Sequence, residues 1–223
     1  MEGAAAHHLG RVLRAETGQL YELSDGNRVW LARVEEVKRD RLGFLLVEEM
    51  PVAPPAFETL LLLSVVKFDA FESALEKATE LGVDTIVPVA AARSEKALVA
   101  AAPKRSERWK RILLEASQQA RRLRVPELTS VTKPDAAFST HRESQRILLS
   151  ERPEAPPLRS VLKGQHLATV TVAIGPEGGW TDSEFECAQR HSFREASLGR
   201  LILRTETAVI AALASLNYAS QET

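Results

Sequence analysis

Glu177 stands where a phosphate would be expected. It lies in AIGPEGGWTDSEF (173–185), where an apolar strand runs through Pro-Glu-Gly-Gly into a helix start. A glycine turn ahead of a helix offers backbone N–H groups and the positive dipole end to anions, but an acid in that turn repels a pyrophosphate. The stretch fits neither G-x-G-x-x-G nor G-x-x-x-x-G-K-[ST], and it supplies no lysine. What remains is a ligand without phosphate, such as an adenosine bearing a cationic group, approached closely by backbone at Gly178 and Gly179. The alternative is a tight turn that binds nothing.

A second candidate lies in LGRLILRTETAVIAAL (198–213). Thr205 is placed to cap a helix, and Glu206 falls in its first turn, where the dipole favours an acid. Arg204 is the odd residue, a cation just ahead of a helix N-terminus that disfavours it. Local structure alone would not choose arginine there, which points to function, the alternative being a merely solvated loop arginine. Residues 104–124 carry eight bases (Lys104, Arg105, Arg108, Lys110, Arg111, Arg121, Arg122, Arg124) against Glu107 and Glu115. A solvated helix usually interleaves signs, so the imbalance suggests phosphate contacts as much as a plain solvated face.

These residues need elements to hold them. QLYEL and NRVWLARVEEV flank Ser24-Asp25-Gly26, a hairpin signal, and LGFLLVEE follows a turn at Arg39-Asp40, so the N-terminus is expected to be a small all-β unit. The proline-rich 50–55 marks a boundary, giving expected domains 1–53 and 56–223. Beyond it, TLLLLSVV (59–66), TIVPV, RILL (146–149) and TVTVAI (169–174) read as strands buried on both faces. Between them, Phe71, Ala74, Leu75, Ala78 and Leu81 make one helical face closed by Gly82. Trp109, Ile112, Leu113, Ala116, Ala120 and Leu123 make another, stopped at Pro126. Further helices are expected at 182–191 and 205–217, with a short strand at 194–198. Thr181-Asp182-Ser183-Glu184 spells a capping box, with Trp180 and Phe185 as its staple. Alternating strands and helices predict an α/β fold with a mainly parallel sheet.

Composition narrows the function. Lys+Arg 29 against Asp+Glu 30 excludes a protein whose whole surface grips nucleic acid, though not a local basic patch. No apolar run reaches membrane-spanning length. The first residues lack a secretion-signal pattern, and the lone Cys187 fits a reducing cytoplasm. The five histidines show no zinc spacing, so no metal is expected.

IGPEGG (174–179) paired with LGRLILRTETA (198–208), supported by AHHLGRVLR (6–14), KATELGVDTIVPV (77–89), RWKRILLEASQQ (108–119) and RVPE (124–127), resembles the ribosomal RNA small-subunit methyltransferase E family. These are the uridine-N3 methyltransferases of the SPOUT class, and the resemblance covers nearly the whole chain. It implies a PUA-like β-barrel that binds RNA, here opening almost at AHHL, so that either its first strand is lacking or the start is misassigned. A SPOUT domain with a C-terminal trefoil knot would follow. It also implies S-adenosylmethionine as cofactor, a homodimer, and a 16S rRNA substrate in the small ribosomal subunit. Carried over by position, the cofactor loops are Leu149-Ser150, then Ile174, Gly175, Pro176, Glu177, Gly178 and Gly179, and then Leu198, Gly199, Ile202, Leu203, Arg204, Thr205 and Thr207. Arg204, Glu206 and Glu177 are the catalytic candidates, with helix-terminus or loop hydrogen bonding as the alternative role of either glutamate. His8, Arg11, Arg14, Lys67, Arg108, Arg121, Arg122 and Arg124 are the RNA-contacting candidates. The family's Lys-Gly-Asp-Lys is Lys67-Phe68-Asp69-Ala70 here, and its glycine before Arg122 is Arg121. Another RNA such as tRNA as substrate, or a non-catalytic assembly factor, are the competing readings.

Overall fold

The Asp25-Gly26 signal makes the expected hairpin. In the computed structural model, which describes residues 1–7, 10, 14–38, 41–52, 55–140, 145–165 and 167–220, the Asp25 carboxylate accepts the Asn27 and Arg28 N–H groups, both at 2.8 Å. Strand β1 (Leu20–Ser24) thereby turns into β2 (Val29–Lys38), and β3 (Arg41–Met50) completes an antiparallel three-stranded meander. A short helix α1 (Gly3–His7) precedes it, and Ala6, Ala15, Val34 and Leu42 form its small core. The expected turn at Arg39-Asp40, and the candidates His8 and Arg11, lie outside the described residues; Arg14 is exposed with φ 51°. Residues 1–54 form one compact unit and residues 55–223 a second.

The second unit grows from the long apolar runs. Strand β4 (Glu58–Ser64) leads through α2 (Phe68–Glu80) to β5 (Thr85–Val89), and then to α3 (Lys96–Ala101) and α4 (Ser106–Gln119). Next come β6 (Glu127–Leu128), α5 (Pro134–Ser139), β7 (Gln145–Leu149), α6 (Leu158–Leu162) and β8 (Thr169–Ile174). The chain ends with α7 (Asp182–Arg190), β9 (Arg194–Ala196) and α8 (Thr205–Ser220). The sheet is parallel throughout, in the order β6-β5-β4-β8-β7-β9. Strand alternation divides its apolar residues between two cores. Leu61, Leu63, Ile147, Leu149, Val170 and Val172 pack under α2, α4 and α8 with Phe71, Trp109 and Leu213. Leu60, Leu62, Leu148 and Ala173 face the other way, toward Phe138, Trp180, Phe185 and Phe193. An all-apolar strand is thus what a sheet covered on both faces requires.

The basic stretch is more structural than its sign imbalance suggests. Arg108 binds both carboxylate oxygens of Glu72 on α2, each at 2.8 Å, and Arg105 lies 3.7 Å from the same group. Arg122 donates to the Val83 carbonyl at 2.6 Å and to the Thr79 carbonyl at 2.9 Å, with Asp84 at 3.5 Å. It closes the C-terminal end of α2, where carbonyls lack partners and a cation is favoured. Arg108 and Arg122, expected to contact RNA, thus also hold α2. Acids from another element neutralise charges that look unbalanced along the sequence. Arg122→Ala should lower stability by about 2–3 kcal/mol, since it strips buried carbonyls of a charged donor. A lower urea midpoint at unchanged slope would register that loss.

Candidate functional site

The stretch 173–185 folds as its residues specify. Strand β8 ends at Ile174, and the Gly179 N–H returns to the Pro176 carbonyl at 2.8 Å. The capping box is complete: Thr181 N–H donates to Glu184 Oε2 at 2.8 Å, and Glu184 N–H donates to Thr181 Oγ1 at 3.4 Å. Trp180 and Phe185 are both buried in the same apolar cluster. Glu184 does a second job, accepting the Ala92 N–H at 2.7 Å through Oε1. Arg93, beside it, donates to the carbonyls of Gly178 at 2.6 Å and Trp180 at 3.2 Å. The turn is thus held from the segment after β5 as well as from its own helix.

Each glycine of the turn has its own physical reason. Gly179 sits at φ +68°, which side-chain-bearing residues rarely adopt. At Gly175 a Cβ would lie 3.2 Å from the Trp180 indole, and at Gly178 it would lie 3.3 Å from the Arg93 stem. Gly178 therefore faces Arg93.

The second stretch meets the first at one bond. Thr205 is the first residue of α8, and its hydroxyl donates to the Gly175 carbonyl at 3.3 Å. The expectation that Thr205 caps α8 is corrected by one position: Arg204 stands at the cap, its carbonyl accepting the Ala208 N–H at 2.9 Å. The Thr205 hydroxyl reaches across to the glycine turn instead. Between the two stretches lies a pocket whose walls include Leu149 and Ser150, residues 174–177, Gly179, Leu198, Gly199, Ile202, Leu203 and Thr205. Gly178, Arg204 and Thr207 do not line it. Glu151, Trp180, Leu201 and Ala208 do as well, and of these Glu151 alone lies outside both motif stretches. Leu201 and Ile202 are each 81% exposed, an unusual state for adjacent aliphatic residues.

Charge in the pocket is one-sided. Glu151 and Glu177 line it, and among the described residues no lysine, arginine or histidine does. Arg204 and Thr207 are exposed, and Glu206 is half-buried in the first turn of α8. Lys67 is exposed at the start of α2, and Arg121 and Arg124 are exposed beyond α4.

Among the described residues, one group brings metal-ligating types together: the ligand atoms of Asp135, Cys187 and His191 lie within 4.8 Å of one another. The Cys187 thiol donates to Asp135 Oδ1 at 3.2 Å, and His191 Nε2 lies 3.5 Å from the same oxygen. Burial pushes the thiol's pKa up, the Asp135 carboxylate adds to the rise, and the Arg190 charge opposes it. These contacts join α5 to α7 and its C-terminal end.

The RNA methyltransferase domain family matches residues 53–217 of this chain. The ribosomal RNA small subunit methyltransferase E of Synechocystis is 33% identical over 96% of this chain and 71% of its own length. The chain belongs to the ribosomal RNA small subunit methyltransferase E family. A member from Aquifex aeolicus is 30% identical over 96% of this chain and 91% of its own length. A crystal structure of the family member from Neisseria gonorrhoeae, bound to S-adenosyl methionine, superposes with a TM-score of 0.89 at 28% identity, covering 98% of this chain and 90% of that one. A Legionella pneumophila protein in complex with the bound cofactor SAM superposes at 0.83 with 30% identity, covering 96% and 89%. Membership of this methyltransferase E family accords with the sheet and the two motif stretches that meet beside it.

Proposed function

We propose that this chain transfers a methyl group from S-adenosylmethionine to N3 of a uridine in 16S rRNA of the small ribosomal subunit. The observation that carries the reading is the Thr205–Gly175 hydrogen bond, which draws the two family stretches around one pocket. The lining fits the cofactor. Leu149, Ile174, Leu198, Leu203 and Ala208 offer apolar surface for an adenine, and the two carboxylates suit a cation and repel a phosphate.

When bound, S-adenosylmethionine supplies an electrophilic methyl group on a positive sulfur. The protein's share is positioning and electrostatics. Uridine N3 must lose its proton, and the resulting charge spreads onto O2 and O4. Arg204 is the cation for that charge: it is exposed outside the pocket wall, held at the α8 cap by its backbone, and has no side-chain partner among the described residues. Glu206 and Glu177 are the candidates for orienting the base or taking its proton. Because N3 lies on the pairing edge, the uridine must be unpaired or flipped out. Lys67, Arg121 and Arg124, with His8, Arg11 and Arg14 of the N-terminal unit, are assigned to phosphates.

The working form is a homodimer. In support, α8 carries apolar residues beyond its buried face, burying Val209, Leu213 and Leu216 while leaving Ile210 41% and Tyr218 68% exposed. The C-terminal stretch is threaded as the family's trefoil knot, the N-terminal unit belongs to the family's barrel, and the enzyme works in the cytoplasm. No helix among the described residues is long and apolar enough to cross a membrane.

Methylation of small subunits purified from a deletion strain, with naked rRNA as the comparison, tests the reading. The expected product is 3-methyluridine in 16S rRNA from subunits. Modification of tRNA alone, or cofactor binding with no transfer to any RNA, would replace it.

A further inference from the structure

Glu151 belongs to neither motif stretch, yet the fold holds it at the pocket. On one side the Ser150 N–H joins the Ala196 carbonyl at 2.9 Å, and Ser150 Oγ accepts the Arg152 N–H at 3.1 Å. On the other, the Arg152 guanidinium stacks 3.5 Å over the Phe185 ring and pairs with Asp182. The backbone of Glu151 is thus fixed from both sides. Its carboxylate lies against Gly179, closer than any side chain there would allow. The neighbouring cations are spent elsewhere, Arg152 on Asp182 and Arg93 on the turn carbonyls. Glu151 and Glu177 are left as the only charges lining the pocket among the described residues.

We infer that Glu151, together with Glu177, makes this pocket discriminate between S-adenosylmethionine and S-adenosylhomocysteine by the charge on sulfur. The inference rests on the cofactor proposed above. The two molecules share adenine, ribose, amino and carboxyl groups and differ by one methyl and one positive charge. Contacts to the shared groups hold both equally and cannot help the product leave. A carboxylate near the sulfur holds the sulfonium more strongly than the neutral thioether, so the attraction weakens once the methyl has been transferred. Catalytic turnover then gains an easier exchange of product for fresh cofactor. At a solvent-screened site, one carboxylate a few ångströms from a unit charge is worth about fivefold in affinity.

Calorimetry on the full chain tests this with three ligands: S-adenosylmethionine, S-adenosylhomocysteine, and sinefungin, which carries an ammonium near the sulfonium position. In Glu151→Gln the preference for S-adenosylmethionine over S-adenosylhomocysteine should fall by about fivefold, with the product's affinity within about twofold of wild type. Sinefungin should follow S-adenosylmethionine, Glu151→Asp should keep the preference, and added salt should shrink it in wild type. Equal weakening of both cofactor forms in Glu151→Gln would overturn the inference and place the carboxylate on a shared group such as the ribose. If wild type binds none of the three ligands, the cofactor reading itself fails.

Discussion

Arg204→Ala should reduce methylation of small subunits by about 10³-fold while leaving the Kd for S-adenosylmethionine within about threefold of wild type. The size follows from losing one preorganised charge aimed at a developing oxyanion, which costs about 10²–10³ in kcat. The separation of the two effects follows from position. The Arg204 side chain does not line the pocket, whereas its neighbours Leu203 and Thr205 do. Its backbone carbonyl, the part that starts α8, survives the substitution. Single-turnover kinetics with saturating cofactor, beside calorimetry, reads both quantities. Near-normal turnover would remove Arg204 from the chemistry, and an equal loss in both would make it a cofactor ligand.

Gly178→Val should weaken S-adenosylmethionine binding by about 30-fold or more, although Gly178 does not itself line the pocket. A branched side chain there meets the Cβ of Arg93 at 3.3 Å, and the stem of Arg93 cannot withdraw without losing its bonds to the Gly178 and Trp180 carbonyls. Something must shift, and the adjacent residues, Glu177 and Gly179, are both pocket wall. Overpacking of this kind costs about 1–3 kcal/mol, here taken out of the geometry that receives the ligand. Shortening Arg93 in the same chain, as Arg93→Ala, should recover part of the loss, because it removes the atoms beyond Cβ that crowd the new side chain. Unchanged affinity in Gly178→Val would mean that the turn and the ligand are independent.

What could be read from the sequence was whatever a short window encodes. The capping box at Thr181 and Glu184, the hairpin at Asp25-Gly26 and the apolar strands depend on neighbours within a few residues, and they fold as read. Features decided by distant partners were hidden. The charge of Arg108 is neutralised by Glu72, 36 residues earlier, so no local count of signs could reveal it. The Thr205 hydroxyl had a local use as a cap and a remote one at Gly175, and the fold takes the remote one. Glu151 lies just past the Leu149-Ser150 loop and outside both motif stretches, and the placement of β7 beside β8 brings it to the glycine turn.

The central pair of the sheet also sets when the site can appear during folding. Glu58 of β4 lies in register with Thr169 of β8, so this ladder closes 169 − 58 = 111 residues of chain. Contacts of such separation form slowly, because loop entropy is lost before they return any stability. The glycine turn hangs from the far end of β8, and its bond to Thr205 needs that strand in place. Although 174–208 contains both family stretches, a fragment carrying only those residues would lack the frame that joins them. The pocket therefore depends on a long-range strand pairing, and a ligand that binds there stabilises the chains in which β4 and β8 are paired.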